Sequence, residues 1–424
     1  MNTPSHPQKH IPPTPSEGPR VPRASSVPTL LQSKRLTPLV LGVAGATVLL
    51  FAVLWYLIGL PGAPTSVRRV LGRLPEAGER TVPGAPGGGL QLGGGDQKSE
   101  TSLFSGMSCP DAQRRPIAVM VGVDPIARPL SGLAMADLVV EMPALVNNVT
   151  RLMAVYQCGQ PREIGGVRSA RHDYLFLAKG WDAVIGHWGG SYHALNRIRQ
   201  ELTPQGKAIY ESIDATWNTA AGAFYRITRL KAPYNGYTGY ERLWSALQKN
   251  GYRTTATFEG YPHAAEAAPQ QRGAGGTLDV GWPGSMRVRY TYQPESNAYE
   301  RYWGGTRHLD GLDKQPVDPK VVVVVHTNQR LANGPGGYND VDVEGTGKAV
   351  VYQNGQVIEG TWEKNLIHKQ DPLHFNSALG KAIEFVPGQV WMHIVDSRTQ
   401  VVWTQGTQAP PELNTGDTPT NFGD

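Results

Sequence analysis

Gly165-Gly166-Val167-Arg168-Ser169-Ala170-Arg171-His172-Asp173 is the stretch of this chain best suited to chemistry. A glycine turn leads to Ser169, a residue type that caps helices, and then to helical periodicity. Backbone N–H groups at such a helix start, beside the Arg168 and Arg171 guanidiniums, suit a phosphate or a carboxylate. The competing reading is structural, with the same arginines paired to Asp137, Glu141 or Asp182. A second constellation runs from Asp182 along an apolar strand to His187, and on through Trp188-Gly189-Gly190-Ser191 into another helix. Open α/β sheets bind ligands at the carboxyl ends of their strands. His187 is therefore a candidate general base, and Gly189, Gly190 and Ser191 a candidate anion cradle. The plainer reading is a hydrogen-bonded histidine closing a strand, and Gly-Gly-Ser-Tyr-His does not match the G-x-S-x-G elbow of serine hydrolases.

Other chemistries find little support. No H-E-x-x-H occurs, and the spacings His187/His193 and His368/His374 match no helical ligand pair, so no metal site is expected. No Walker or Rossmann fingerprint is present, and no cofactor is implied. Lys231-Ala-Pro-Tyr-Asn-Gly-Tyr-Thr-Gly-Tyr240 reads as loop packing, with sugar stacking as the alternative. Cys109 precedes the first expected strand and Cys158 ends the third. If those strands are neighbours the two sulfurs come within bridging reach; otherwise they are two unpaired thiols. A bridge leaves no thiol for nucleophilic catalysis.

The elements that would position these residues change character along the chain. Strand-like runs at 117–121, 138–141, 152–156 and 183–187 alternate with helical periodicity at 169–179, 191–202 and 240–249. From 286 onward the pattern is strands: 286–292, 321–326, 348–353, 356–363 and 389–395, with Asn354-Gly355 a strong hairpin signal. A Gly/Pro/Ala-rich boundary falls at 260–284. The fold class expected is α+β, an α/β domain over 114–262 followed by a mostly-β domain over 285–403. The latter is read as a structural or docking module, its Asp340 and Asp342 solvated on one strand face.

Length and charge set the surroundings. The 424 residues hold 40 basic and 35 acidic side chains, but 1–37 contains Lys9, Arg20, Arg23, Lys34 and Arg35 against Glu17 alone. The remainder, 35 basic against 34 acidic, is nearly neutral, which argues against a nucleic-acid-binding face. Pro38 to Leu60 is an uncharged apolar run of 23 residues, and at ~1.5 Å per residue it spans a hydrocarbon core. It is longer and later than a signal peptide core, so a retained transmembrane helix is expected. Flanking charges nearly balance, and the unfoldable basic tail over 1–37 is placed in the cytoplasm. Residues 61–113 are read as a Gly/Pro-rich linker and 404–424 as a disordered tail. The globular part then lies outside the cytoplasmic membrane, on a single-pass anchor.

Several stretches carry a family resemblance: 115–141 (RPIAVMVGVDPIARPLSGLAMADLVVE), 149–157 (VTRLMAVYQ), 164–171 (IGGVRSAR), 182–191 (DAVIGHWGGS), 232–238 (APYNGYT) and 343–364 (VEGTGKAVVYQNGQVIEGTWEK). In this order they resemble the YerB-like lipoprotein family, over about 115–395. The resemblance implies a two-part extracytoplasmic protein without an assigned function. Family members are lipidated on an N-terminal cysteine, whereas Met107-Ser108-Cys109 is no lipobox, so here the apolar helix would replace the lipid. The function expected is binding of an anionic envelope ligand, a cell-wall glycan or a lipid-linked phosphate, by Arg168, Ser169, Arg171 and the Gly189–Ser191 turn. The alternative is an envelope phosphotransferase or hydrolase with His187 as base and the arginine pair stabilising developing negative charge.

Overall fold

Five consecutive valines, Val321–Val325, leave no polar face for water, and in the computed structural model they lie inside a ten-stranded sheet buried on both sides. The structure describes residues 101–145 and 149–406. The basic tail, the apolar run 38–60, residues 61–100 of the expected linker and the end of the chain from 407 lie outside the described residues. Among those described, no helix is long and apolar enough to cross a membrane.

The strand order in the large sheet is His374–Ser377, Gln356–Lys364, Gly345–Gln353, Val321–His326, Val390–Val395, Leu138–Pro143, Thr150–Tyr156, Ile117–Val121, Val184–His187 and Ser212–Asp214. Val390–Val395 pairs in parallel with both Val321–His326 and Leu138–Pro143, so strands from the two sides of 260–284 are hydrogen-bonded into one sheet. Within that stretch, Gly276–Val280 is itself a strand, held between Val288–Gln293 and Val401–Gln405 in a second, five-stranded sheet. The three α-helices described are α1 (His172–Gly180), α2 (Tyr192–Gln200) and α3 (Tyr240–Lys249), close to the expected ranges. Asn354 and Gly355 have φ of 53° and 65°, as a two-residue hairpin requires.

Alternation along the strands supplies two cores. Ala118, Met120, Val140, Met153 and Val323 share one core with Tyr174 and Leu177 of α1 and with Trp181 just after it. Their neighbours Val119, Val121, Val139, Ala154 and Val322 face Leu243 and Leu247 of α3 and the five-stranded sheet.

One boundary moves. Residues 101–113, assigned to the linker on composition, belong to the folded unit. The Phe104 ring has no exposed surface and packs 5.1 Å from Phe258 and 6.1 Å from Trp181, while the Ser102 and Ser105 hydroxyls donate to Asp137 at 2.7 and 2.8 Å. The glycine- and proline-rich composition of 61–100 ends before this segment, and Leu103 and Phe104 supply apolar surface to bury.

Ile117–Val121 and Thr150–Tyr156 are antiparallel neighbours, and Cys109 and Cys158 are disulfide-bonded with Cα atoms 5.8 Å apart. The bridge closes a separation of 49 residues. Replacing both cysteines by serine should lower the unfolding free energy by about 2–4 kcal/mol, because the open chain regains the entropy that the closed loop denies it. Urea unfolding followed by circular dichroism measures this, and equal midpoints would contradict it.

Candidate functional site: three arginines at the ends of the parallel strands

Ile117–Val121 runs out at Gly122, and the backbone there passes so close to the next loop that a Cβ would meet the Arg168 side chain at 2.8 Å. Arg168 N donates to Met120 O at 2.8 Å, and Arg168 O accepts from Trp188 N at 3.0 Å. Ala170 N then donates to Gly189 O at 2.9 Å, Ser191 N to Ala170 O at 3.1 Å, and the Ser169 hydroxyl to Trp188 O at 3.2 Å. The two stretches singled out in the sequence thus lie side by side, at the carboxyl ends of the parallel strands Ile117–Val121 and Val184–His187.

Local roles differ from those expected. The residue before α1 is Arg171, with no side-chain cap, and Ser169 is not the cap. Ser191 does cap α2, accepting from Ala194 N at 3.2 Å. Gly189, at φ 63°, gives its N–H to Asp214 Oδ1 at 2.9 Å, so the amides of Gly189 and Ser191 are both committed within the protein. His187 is fully buried. Its Nδ1 donates to Gly189 O at 2.8 Å, Nε2 is buried without a hydrogen-bond partner, and burial holds the imidazole below its ordinary value. In this conformation the ring braces the glycine turn and presents no surface to a ligand.

The charge at the site comes from arginines. Asp137 is taken by Ser102, Ser105 and the amides of Gln157, Cys158 and Gly159. Glu141 is held by Arg301 at 2.9 Å, and Asp182 by Arg253 at 2.6 Å and Arg115 at 3.3 Å. The three carboxylates that would have made Arg168 and Arg171 structural are therefore otherwise engaged. Arg168 stands 3.5 Å from Asp124, donates to Pro233 O at 3.3 Å and lies 5.2 Å from the Tyr234 ring. Arg171 donates to Ala170 O at 3.0 Å and lies 4.9 Å from the Tyr338 ring, with its Nε buried and unpartnered.

A third arginine, which the sequence reading missed, joins them. Arg151, on strand Thr150–Tyr156, is only 6% exposed, and its Nε and Nη1 have no hydrogen-bond partner. Burial, and then the like charges of Arg171 and Arg168, push its guanidinium down to about 9.

Next to the arginines, the first turn of α1 places His172 and Asp173 against Asp340. One ligand atom from each of the three lies within 4.8 Å of the others, so together they could hold a divalent cation. As the side chains stand, His172 Nε2 is 3.0 Å from Asp173 Oδ1 and 3.4 Å from Asp340 Oδ1. Burial works against a charge on His172, but the two carboxylates outweigh it and hold the imidazole above its ordinary value. Arg330 binds Asp340 and Asp342 at 2.6 Å each, so these two acids are ion-paired where solvation was expected.

Residues 104–253 match the N-terminal domain of the family described as DUF3048, protein of unknown function, and residues 278–392 match its C-terminal domain. A Bacillus subtilis (strain 168) protein described as "Putative lipoprotein YerB" is 31% identical over 291 residues, covering 67% of this chain and 82% of the relative. The crystal structure of YerB from Bacillus subtilis superposes with a TM-score of 0.62 at 26% identity, covering 71% of this chain and 99% of that one. With both halves of the family pattern matched in order and a relative aligned over most of its length, the chain belongs to the DUF3048 family of YerB-like proteins.

Proposed function

We propose that this is a membrane-anchored extracytoplasmic protein that binds an anionic ligand of the cell envelope, a cell-wall glycan or a lipid-linked phosphate, at Arg151, Arg168 and Arg171. The observation that carries the reading is Arg151, a buried guanidinium with two unpartnered nitrogens beside two further arginines. An uncompensated buried charge costs several kcal/mol, and a bound phosphate or carboxylate would offset that cost with charge-assisted hydrogen bonds. The envelope location draws on the lipoprotein description of the relative, on the disulfide, and on the apolar run 38–60 as anchor. The alternative, a phosphotransferase or hydrolase with His187 as base, rests on a ring whose Nδ1 is committed to Gly189 O, and no observation favours it over binding.

Calorimetric titration of the full chain in detergent with a polyprenyl phosphate and with a muropeptide tests the reading. One of the two should bind, and Arg168→Glu with Arg171→Glu should weaken that binding by about 100-fold or more. No heat at millimolar concentration, or the same affinity in the double variant, would overturn it. External protease should cleave the protein in intact cells; resistance there, with cleavage after lysis, would reverse the proposed orientation.

A further inference from the structure

We infer a second, separate anion site, in a cleft of about 490 Å³ whose lining includes Arg128, Trp303, Arg307, His308, Leu309 and Lys314. None of Arg151, Arg168 and Arg171 lines it. The cleft is built by the loop after Pro125–Ala127, by the turn that joins Ala298–Trp303 to Thr306–Arg307, and by the segment that follows.

Its charges do not cancel. Arg307 is paired with Asp318 at 2.5 Å and lies 3.8 Å from Glu300. Arg301, behind the cleft, is paired with Glu141 at 2.9 Å. Arg128 donates only to carbonyls, Val123 O at 2.8 and 3.1 Å and Ser285 O at 2.7 Å, and its guanidinium lies 3.6 Å over the Trp303 ring. Among the described residues, Arg128 and Lys314 have no carboxylate within ion-pair distance. Burial, with Arg301 adding to it and Glu141 and Asp124 opposing, pushes Arg128 down to about 10.

The hydrogen-bond account is open as well. Trp303 and His308 are each 4% exposed, both line the cleft, and Trp303 Nε1 and His308 Nε2 have no partner. Arg301 Nη1 donates to His308 Nδ1 at 2.9 Å, so that lone pair is used. Burial and Arg301 keep the ring neutral, which puts its hydrogen on Nε2. Two buried N–H donors therefore lack acceptors where two cations lack counter-charges, and buried donors of this kind are ordinarily satisfied. One acceptor-rich anion meets both needs. Leu130, Pro129 and Leu309 supply apolar wall, so the ligand class is a phosphate or carboxylate carried on an apolar or aromatic body.

The full chain in detergent, labelled with 5-fluorotryptophan, tests this by fluorine NMR, with Trp303→Phe used only to assign the Trp303 resonance. Phenyl phosphate should shift that resonance at millimolar concentration and phenol should not. Lys314→Glu, a change at an exposed position, should weaken the response by about tenfold or more. Arg168→Glu with Arg171→Glu should leave it unchanged, which separates this site from the first. A resonance that does not move, moves equally with phenol, is indifferent to Lys314→Glu, or is lost in the double variant overturns the inference.

Discussion

Arg151→Met should weaken anion binding and raise the unfolding temperature together. The guanidinium is buried with two nitrogens unpartnered, and Arg171 and Arg168 add like charge to the same place, which Asp124 offsets only in part. In the empty protein this arrangement is a cost, and methionine fills the same strand position without a charge to desolvate. The gain expected is about 1–3 kcal/mol, the size of the penalty for unmet buried polar groups. Binding should fall by about 2–5 kcal/mol, the range for losing one partner of a buried hydrogen-bonded charge pair. Thermal unfolding and titration with the same polyprenyl phosphate or muropeptide measure the two effects side by side. A variant less stable than the parent would mean that Arg151 holds the fold together, and it would leave the proposed site. Gain of stability with loss of binding is the signature of a residue kept for its ligand.

What the sequence revealed of this site follows from the range over which each signal acts. Helix starts, glycine turns and strand ends are local signals; they single out Arg168, Arg171 and Gly189–Ser191, and the stretches that carry these residues lie side by side. Arg151 gave no such signal because it stands alone in an apolar strand, between Thr150 and Leu152. The alternation did carry a hint, since Arg151 shares a face with Met153 and Val155, both in the core against α1. A charge on a face that must be buried is a site candidate even without a motif. Asp340 was out of reach altogether, 168 residues from the His172 it touches. So was the joining of strands from both sides of 260–284 through Val390–Val395, because parallel pairing between distant strands leaves no periodic trace of the partner. Composition misled at 101–113, where one apolar pair, Leu103 and Phe104, was enough to bring the segment into the core.

Another buried arginine, Arg301, predicts the opposite sign. Arg301 has no exposed surface, yet its donors are matched: Nη2 to Glu141 at 2.9 Å, Nε to the Tyr290 hydroxyl at 3.2 Å and Nη1 to His308 at 2.9 Å, with the Trp391 ring 4.0 Å away. Arg301→Met would strand Glu141, which would keep the Thr150 hydroxyl at 2.9 Å and, 3.7 Å away, the neutral His393 ring, and should cost about 3–5 kcal/mol in denaturant unfolding. Burial already holds the Glu141 carboxyl above its ordinary value, and without the guanidinium it would rise further. An acid raised in the folded state contributes stability below its unfolded value, about 4.3, and loses it as the pH climbs through the folded value. The penalty of Arg301→Met should therefore be largest in mild alkali and shrink as the solution is acidified. His308 and His393 act in the same direction, because burial and then Arg301 hold both well below the ordinary histidine range, and removing Arg301 relaxes that cost at low pH. Glu141→Gln combined with Arg301→Met removes both charges and should restore much of the loss. A single variant that unfolds with the parent's midpoint at every pH would show that Glu141 does not depend on Arg301, and the contrast with Arg151 would collapse.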